Sequence, residues 1–194
     1  MIRLGLTGSI GMGKSATAAM FRDAGVPVHD SDAEVHRLYA GAAAPLIEAA
    51  FPGVLKDGVV DRTALGARVL NNAEAMKRLE AIVHPLVRQS TADFLQRTEK
   101  AGYPLIVFDV PLLFEVGRDR DCDAVLVVSA DPAVQRARVL ARPGMTQEKF
   151  QAILARQIPD SDKRRRAHFV IDTGHGFDAA RRAVAGVIRT LAGR

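Results

Sequence analysis

The stretch Gly8-Ser9-Ile10-Gly11-Met12-Gly13-Lys14-Ser15 has the spacing Gly-x-x-x-x-Gly-Lys-Ser, whose chemistry is the cradling of a polyphosphate. Backbone N–H groups of such a loop, together with the positive end of the following helix, face one anion. Lys14 reaches the β- and γ-phosphates, and the Ser15 hydroxyl completes the shell of a Mg²⁺ ion. As a plain glycine turn the octet would leave Lys14 solvated. Its setting argues otherwise: Ile2–Thr7 reads as a short buried strand and Ala16–Ala24 has helical composition, the strand-loop-helix context that the loop requires. The expected ligand is a nucleoside triphosphate.

Carboxylates stand at two further places where phosphoryl transfer needs them. Val28-His29-Asp30-Ser31-Asp32 ends the second apolar run, near where an acceptor hydroxyl must approach the γ-phosphate. Asp32 is the chosen base, orienting the hydroxyl and accepting its proton late, with helix capping as its alternative and a structural role for Asp30. Asp109 follows Leu105-Ile106-Val107-Phe108 in a Walker-B-like place, where a carboxylate holds Mg²⁺ directly or through water. His29, His36, His168 and His175 are scattered without metal-ligand spacing, so no zinc site is expected. Cys122, the single cysteine, lies between Asp121 and Asp123; a disulfide within the chain is excluded, and packing suits it better than nucleophilic chemistry.

These residues need a scaffold, and five apolar runs supply one: Ile2–Thr7, Val26–His29, Leu105–Val110, Ala124–Ser129 and Phe169–Asp172. Helical material separates them, which predicts an α/β fold of three layers, a five-stranded parallel sheet with ligands at the carboxyl ends of its strands. Asp30 to Pro104 is far longer than one crossover helix and reads as an inserted helical lobe. Pro45, Asp61 and Asn72 look like helix starts there, Pro85 opens a helix toward Lys100, and Leu46, Ile47, Leu65, Val69, Leu70, Met76, Leu79, Ile82 and Val83 are its expected core. The segment 137–168 reads as a lid, with an Asp131-Pro132 helix start before it, a Pro143-Gly144 break, a helix from about Gln147 to Gln157 and the basic run Lys163–Arg166. Arginines on a closing segment neutralise triphosphate charge and exclude water; a solvated basic face is the alternative for the run.

At 194 residues the chain is expected to be one domain, 1–194, of monomer size, with 48% hydrophobic and 25% charged residues as in ordinary globular proteins. No apolar run approaches a membrane span, and no leader pattern opens the chain, so no membrane partner and a cytoplasmic setting are expected. The net charge of +5 comes with 5% aromatics and no tryptophan, which gives no stacking platform for nucleic acid. A phosphate loop alone does not separate kinases from GTPases and motor ATPases. Asn-Lys-x-Asp does not occur, and the third strand does not end in Asp-x-x-Gly. Small size and an inserted lobe suit a kinase with a second substrate, the acceptor class being open between several small molecules; a nucleotide-dependent regulatory or RNA-binding module is the rival from another class.

The opening Leu6-Thr7 and phosphate loop, Asp30-Ser31-Asp32, Asp57-Gly58 before Asp61-Arg62, His84-Pro85, Val110-Pro111-Leu112-Leu113-Phe114-Glu115, Gln135-x-x-Arg138-x-x-x-Arg142 and Gln157 together resemble the dephospho-CoA kinase family over nearly the whole chain. The resemblance implies ATP-dependent phosphorylation of the ribose 3′-hydroxyl of dephospho-CoA, the last step of coenzyme A synthesis, with Mg²⁺ as cofactor. It implies Asp32 as catalytic aspartate and Gly11 to Ala16 as the ATP-phosphate segment, with Gly8 opening the loop. Arg62, His84, Pro111, Leu112, Leu113 and Glu115 would shape the acceptor site, and Arg138 and Arg142 would close over ATP. Two departures stand out: Ala16 where the family usually has threonine, and Thr173 where it often places asparagine near the adenine.

Overall fold

A computed structural model describes residues 1–193, leaving Arg194 outside. In chain order the elements are β1 (Ile2–Thr7), α1 (Lys14–Asp23), β2 (Val28–Asp30), α2 (Ser31–Tyr39), α3 (Ala44–Ala50), β3 (Leu55–Lys56), β4 (Val59–Val60), α4 (Arg62–Val69) and α5 (Ala73–Lys100). There follow β5 (Leu105–Asp109), β6 (Ala124–Ser129), α6 (Pro132–Leu140), α7 (Gln147–Leu154), α8 (Asp160–Arg166), β7 (Phe169–Asp172) and α9 (Phe177–Ala192). Five strands form one sheet in the order β2-β5-β1-β6-β7. β1 lies at its centre, parallel to β5 and β6, and β7 runs parallel to β6. All of β5 and β6 is buried, so both read as unbroken apolar runs, the pattern of parallel strands covered on two faces. The expected bounds hold at β1, β6 and β7. β2 starts later than expected because the Val26 N–H donates to Phe21 O at 2.9 Å and closes the end of α1 instead.

The chain divides into two compact units, Met1–His29 with Thr98–Arg194, and Asp30–Arg97. In the first, Leu4, Leu6, Leu126 and Ile171 of the sheet pack with Phe21 of α1 and Val184 of α9. Cys122 lies beside this sheet, its Sγ 3.6 Å from Arg118 O. Burial, then the Asp121 carboxylate, pushes its thiol up to about 11. At pH 8 the native chain should therefore alkylate about 100-fold more slowly than an ordinary thiol and regain full rate on denaturation; fast native labelling with iodoacetamide would contradict this.

The second unit has a core of its own, including Leu38, Ile47, Val54, Leu65, Val69, Leu79 and Val83. Its helices start where expected: Pro45 lies in the first turn of α3, Asp61 accepts from Thr63 N at 2.8 Å and Ala64 N at 3.1 Å, and Asn72 Oδ1 accepts from Ala75 N at 3.0 Å. Leu46 and Leu70 are corrections to the expected core, being 50% and 66% exposed. Leu46 adjoins the fully buried Ile47 and faces about 100° away from it, while Leu70 ends α4 in extended conformation and leaves the helix's apolar stripe.

Pro85 is a second correction. It lies inside α5, a single helix of 28 residues, and does not open a new one. A proline there forfeits one hydrogen bond and crowds the carbonyl of Ala81, at about 3 kcal/mol. Leu79 and Val83 before it and Leu86 and Val87 after it all pack on the same core. At about 1.5–3 kcal/mol per large apolar side chain, that burial outweighs the defect. The antiparallel hairpin β3–β4 was not anticipated. Its signal was the Asp57-Gly58 pair, whose φ values of 52° and 79° are those of a two-residue type I′ turn.

Candidate active site

The phosphate loop leaves the carboxyl end of β1 and feeds α1. Gly8 passes so close to β6 that a Cβ there would lie 2.8 Å from Val128 O. Gly11, at φ 79°, would place a Cβ 2.5 Å from Val139 Cγ2. Two glutamines then clamp the loop between them. Gln157 Oε1 accepts from Ile10 N at 3.1 Å, and Gln135 Nε2 donates to Ile10 O at 2.8 Å. Both backbone groups of Ile10 are thus satisfied by the protein, which preorganises the loop. The sequence marked these glutamines as part of a motif without a task; an amide, which offers donor and acceptor at once, is the side chain that can meet a loop's free N–H and C=O.

Around this loop the first unit gathers most of the expected donor-site residues. Lys14 Nζ lies 2.5 Å from Asp109 Oδ1 at the end of β5, with the Asp109 side chain 2% exposed. Ser15 is exposed in the first turn of α1. Arg138 donates from Nη1 to Thr173 Oγ1 at 2.9 Å and from Nη2 to Thr173 O at 2.7 Å. Thr173 Oγ1 in turn donates to Met12 O at 2.9 Å, tying the end of β7 to the loop. Gly11, Gly13, Ala16, Arg138, Arg142 and Thr173 all line one cavity of about 230 Å³.

The segment after β5 is divided in its placement. Pro111 O accepts from Thr7 Oγ1 at 3.1 Å, Leu112 is 38% exposed, and Leu113 is fully buried, where a Cβ on Gly5 would approach it to 2.8 Å. Glu115 Oε1 accepts from Ile158 N at 2.9 Å and lies 2.8 Å from Lys163 Nζ, whose side chain is 0% exposed. Lys163 is therefore an interior residue, which removes for it the solvated face that was the alternative to a lid; Arg164, Arg165 and Arg166 beside it pair with Asp160, Asp162 and Asp119.

Asp32, Arg62 and His84 lie in the second unit. Asp30 caps α2, its Oδ1 accepting from Asp32 N at 3.1 Å and Ala33 N at 3.0 Å. The Asp32 side chain is exposed in that first turn and has no capping task. Arg62 is exposed at the start of α4, and His84 is exposed within α5, not at a helix start.

The family model for dephospho-CoA kinase matches residues 2–178. The chain belongs to the dephospho-CoA kinase family. It is 63% identical over 194 residues to a dephospho-CoA kinase of Mesorhizobium japonicum, covering 100% of this chain and 98% of that protein. A Thermus thermophilus crystal structure superposes with a TM-score of 0.84 at 36% identity, covering 98% and 97% of the two chains. A dephospho-CoA kinase from Campylobacter jejuni superposes with 0.72 at 27% identity, covering 98% of each.

Within the dephospho-CoA kinase fold, the Lys163–Glu115 pair holds α8 to the segment after β5. Burial pushes the Glu115 carboxyl up, but the Lys163 ammonium and the Ile158 N–H outweigh it and hold the group below the usual carboxylate range. Lys163→Met should cost about 3–5 kcal/mol in urea unfolding, because Glu115 is then left partly buried without its cation, and Lys163→Met with Glu115→Gln should cost less. A depressed carboxyl stabilises the fold above its unfolded value of about 4.3 and loses that contribution as pH falls through the lower folded value. The gap in Tm between the natural chain and Glu115→Gln should accordingly narrow in acid; a gap that widened would remove this role.

Proposed function

We propose that the chain transfers the γ-phosphoryl group of ATP to the ribose 3′-hydroxyl of dephospho-CoA, giving coenzyme A and ADP, as a monomer in the cytoplasm. The observation that carries this reading is the phosphate loop clamped by Gln135 and Gln157 and flanked by Lys14, Asp109 and Arg138, in a chain matched by its family from residue 2 to 178. The names of its full-length relatives supply the acceptor. A half-buried single cysteine, Cys122, whose thiol is pushed up to about 11, suits a reducing compartment.

Lys14 binds the β- and γ-phosphates and stabilises charge on the transferring group, while the loop's N–H groups hold the rest of the chain of phosphates. Asp32 orients the acceptor hydroxyl for in-line attack and takes up its proton. Arg138 and Arg142, on the segment 137–168, act as the lid over ATP. Arg62 and His84 of the Asp30–Arg97 unit have acceptor-binding roles, and so, in the other unit, have Pro111, Leu112, Leu113 and Glu115.

Ser15 and Asp109 would hold Mg²⁺. They are hard oxygen donors, and no cluster of three or more His, Cys, Asp or Glu suited to a metal ion occurs among the described residues. That set fits a cation that completes its shell with phosphate oxygens and water. When bound, Mg²⁺ neutralises charge on the β- and γ-oxygens.

The test is ADP release from MgATP with dephospho-CoA, adenosine, AMP or cytidine monophosphate as acceptor. Stimulation by dephospho-CoA alone, with coenzyme A as product, is expected. Stimulation by another acceptor would replace the substrate, and stimulation by none would overturn the kinase reading. No described helix is long and apolar enough to cross a membrane.

A further inference from the structure

The cavity beside the phosphate loop carries an inference about which donors it accepts, resting on the reading of that loop as the triphosphate site. Gly11 and Gly13 line both loop and cavity, so a triphosphate on the loop leads its nucleoside directly into this space of about 230 Å³. At its rim stands Phe177, the first residue of α9. Phe177 is spaced 3, 7, 10 and 11 residues from Ala180, Val184, Val187 and Ile188, and so continues the helix's buried apolar stripe. Those four are 3%, 2%, 6% and 9% exposed, whereas Phe177 is 68% exposed. The stripe runs out past the core, and the member at the helix start is an aromatic ring left about two-thirds exposed.

Arg142, two residues beyond the end of α6, lines the same cavity and makes no side-chain hydrogen bond or ion pair among the described residues. A planar guanidinium and a benzyl ring are the two side-chain types that stack on flat heteroaromatic faces. The other polar side chains of the cavity are, by contrast, each bonded within the protein. Arg138 holds Thr173 with one N–H of each terminal nitrogen, the Thr173 hydroxyl donates to Met12 O, and Thr17 Oγ1 donates to Gly13 O at 3.1 Å. No Asn, Gln, Asp or Glu side chain lines the cavity.

We propose that Phe177 and Arg142 hold the donor's base by stacking, so that the site selects a purine triphosphate without reading the group at purine position 6. Sites built to hydrogen-bond a distinguishing group reject the wrong partner by about 10⁴–10⁵-fold, whereas pockets that sense only shape discriminate by about 10–200-fold. GTP therefore falls in the second range relative to ATP, and CTP, with its smaller stacking face, binds more weakly than either.

The test is calorimetric binding to the full chain, without acceptor, of ATP, GTP, CTP and inorganic tripolyphosphate. GTP should bind within about 100-fold of ATP. Phe177→Ala should weaken ATP and GTP alike by about tenfold and leave tripolyphosphate unchanged, and Phe177→Tyr should restore both nucleotides. The exposed position spares the fold, which the thermal unfolding midpoint verifies. Preference for ATP over GTP beyond about 10⁴-fold, unchanged ATP affinity in Phe177→Ala, or an equal loss for tripolyphosphate would each overturn the proposal. Because no acceptor is present, failure to phosphorylate dephospho-CoA would count against the acceptor alone and is read separately.

Discussion

Asp32→Asn should lower dephospho-CoA-dependent turnover by about 10²–10⁴-fold while changing ATP affinity by no more than about twofold. The substitution keeps the side chain's size and removes only its charge and its capacity to take a proton. Its local structural cost is small, because Asp30 and not Asp32 caps α2 and the bonds from Asp32 N and Ala33 N to Asp30 Oδ1 use no Asp32 side-chain atom. Asp30→Ala serves as the contrast. It should destabilise by about 1 kcal/mol through the lost cap and reduce activity only as far as the fold loosens. Steady-state kinetics separate the two roles: a fall in kcat at constant ATP affinity marks a group acting on the acceptor hydroxyl, whereas parallel loss of stability and activity marks a cap. Near-normal turnover in Asp32→Asn would remove Asp32 from the chemistry.

The structural role of Asp30 as a cap was legible because position relative to a strand end is local information. So were the phosphate loop and the strands β1, β6 and β7, where loop spacing or runs of buried residues announce the element directly. Less legible were outcomes decided by distant packing. Pro85 reads as a helix start from its own chemistry, and only the core on both sides of it keeps α5 continuous. Lys163 stands beside three arginines in a run that reads as a lid or, alternatively, a solvated face; its burial follows from Glu115, 48 residues away in sequence, which no pattern of neighbours reveals. Gln135 and Gln157 were visible as types but not as a clamp, since their task is set by the loop's backbone groups and not by their own spacing. Phe177 belongs to no motif, and its exposure is a property of where the stripe of α9 ends.

Lys14→Met should reduce turnover by about 10²–10³-fold, the loss expected when one preorganised cationic donor to the developing charge is removed. Methionine keeps the length and apolar stem of lysine, so the loop's path through Gly8, Gly11 and Gly13 is unchanged, and the Ile10 clamp does not involve Lys14. The substitution also acts on Asp109. Its carboxylate is 2% exposed, and its Oδ1 lies 2.5 Å from Lys14 Nζ, so the variant leaves a buried anion without this cation. Two effects therefore travel together, loss of charge stabilisation at the γ-phosphoryl group and loss of stability in the ligand-free chain. Lys14→Met with Asp109→Asn tells them apart, since neutralising both should recover much of the unfolding free energy and none of the turnover. Lys14→Arg should rescue poorly even though it keeps the charge, because a broad planar guanidinium does not replace a compact ammonium in a loop this closely packed against β6 and α6. Full activity in Lys14→Arg would show that charge alone, and not a point donor at the β- and γ-phosphates, is what the loop requires at this position.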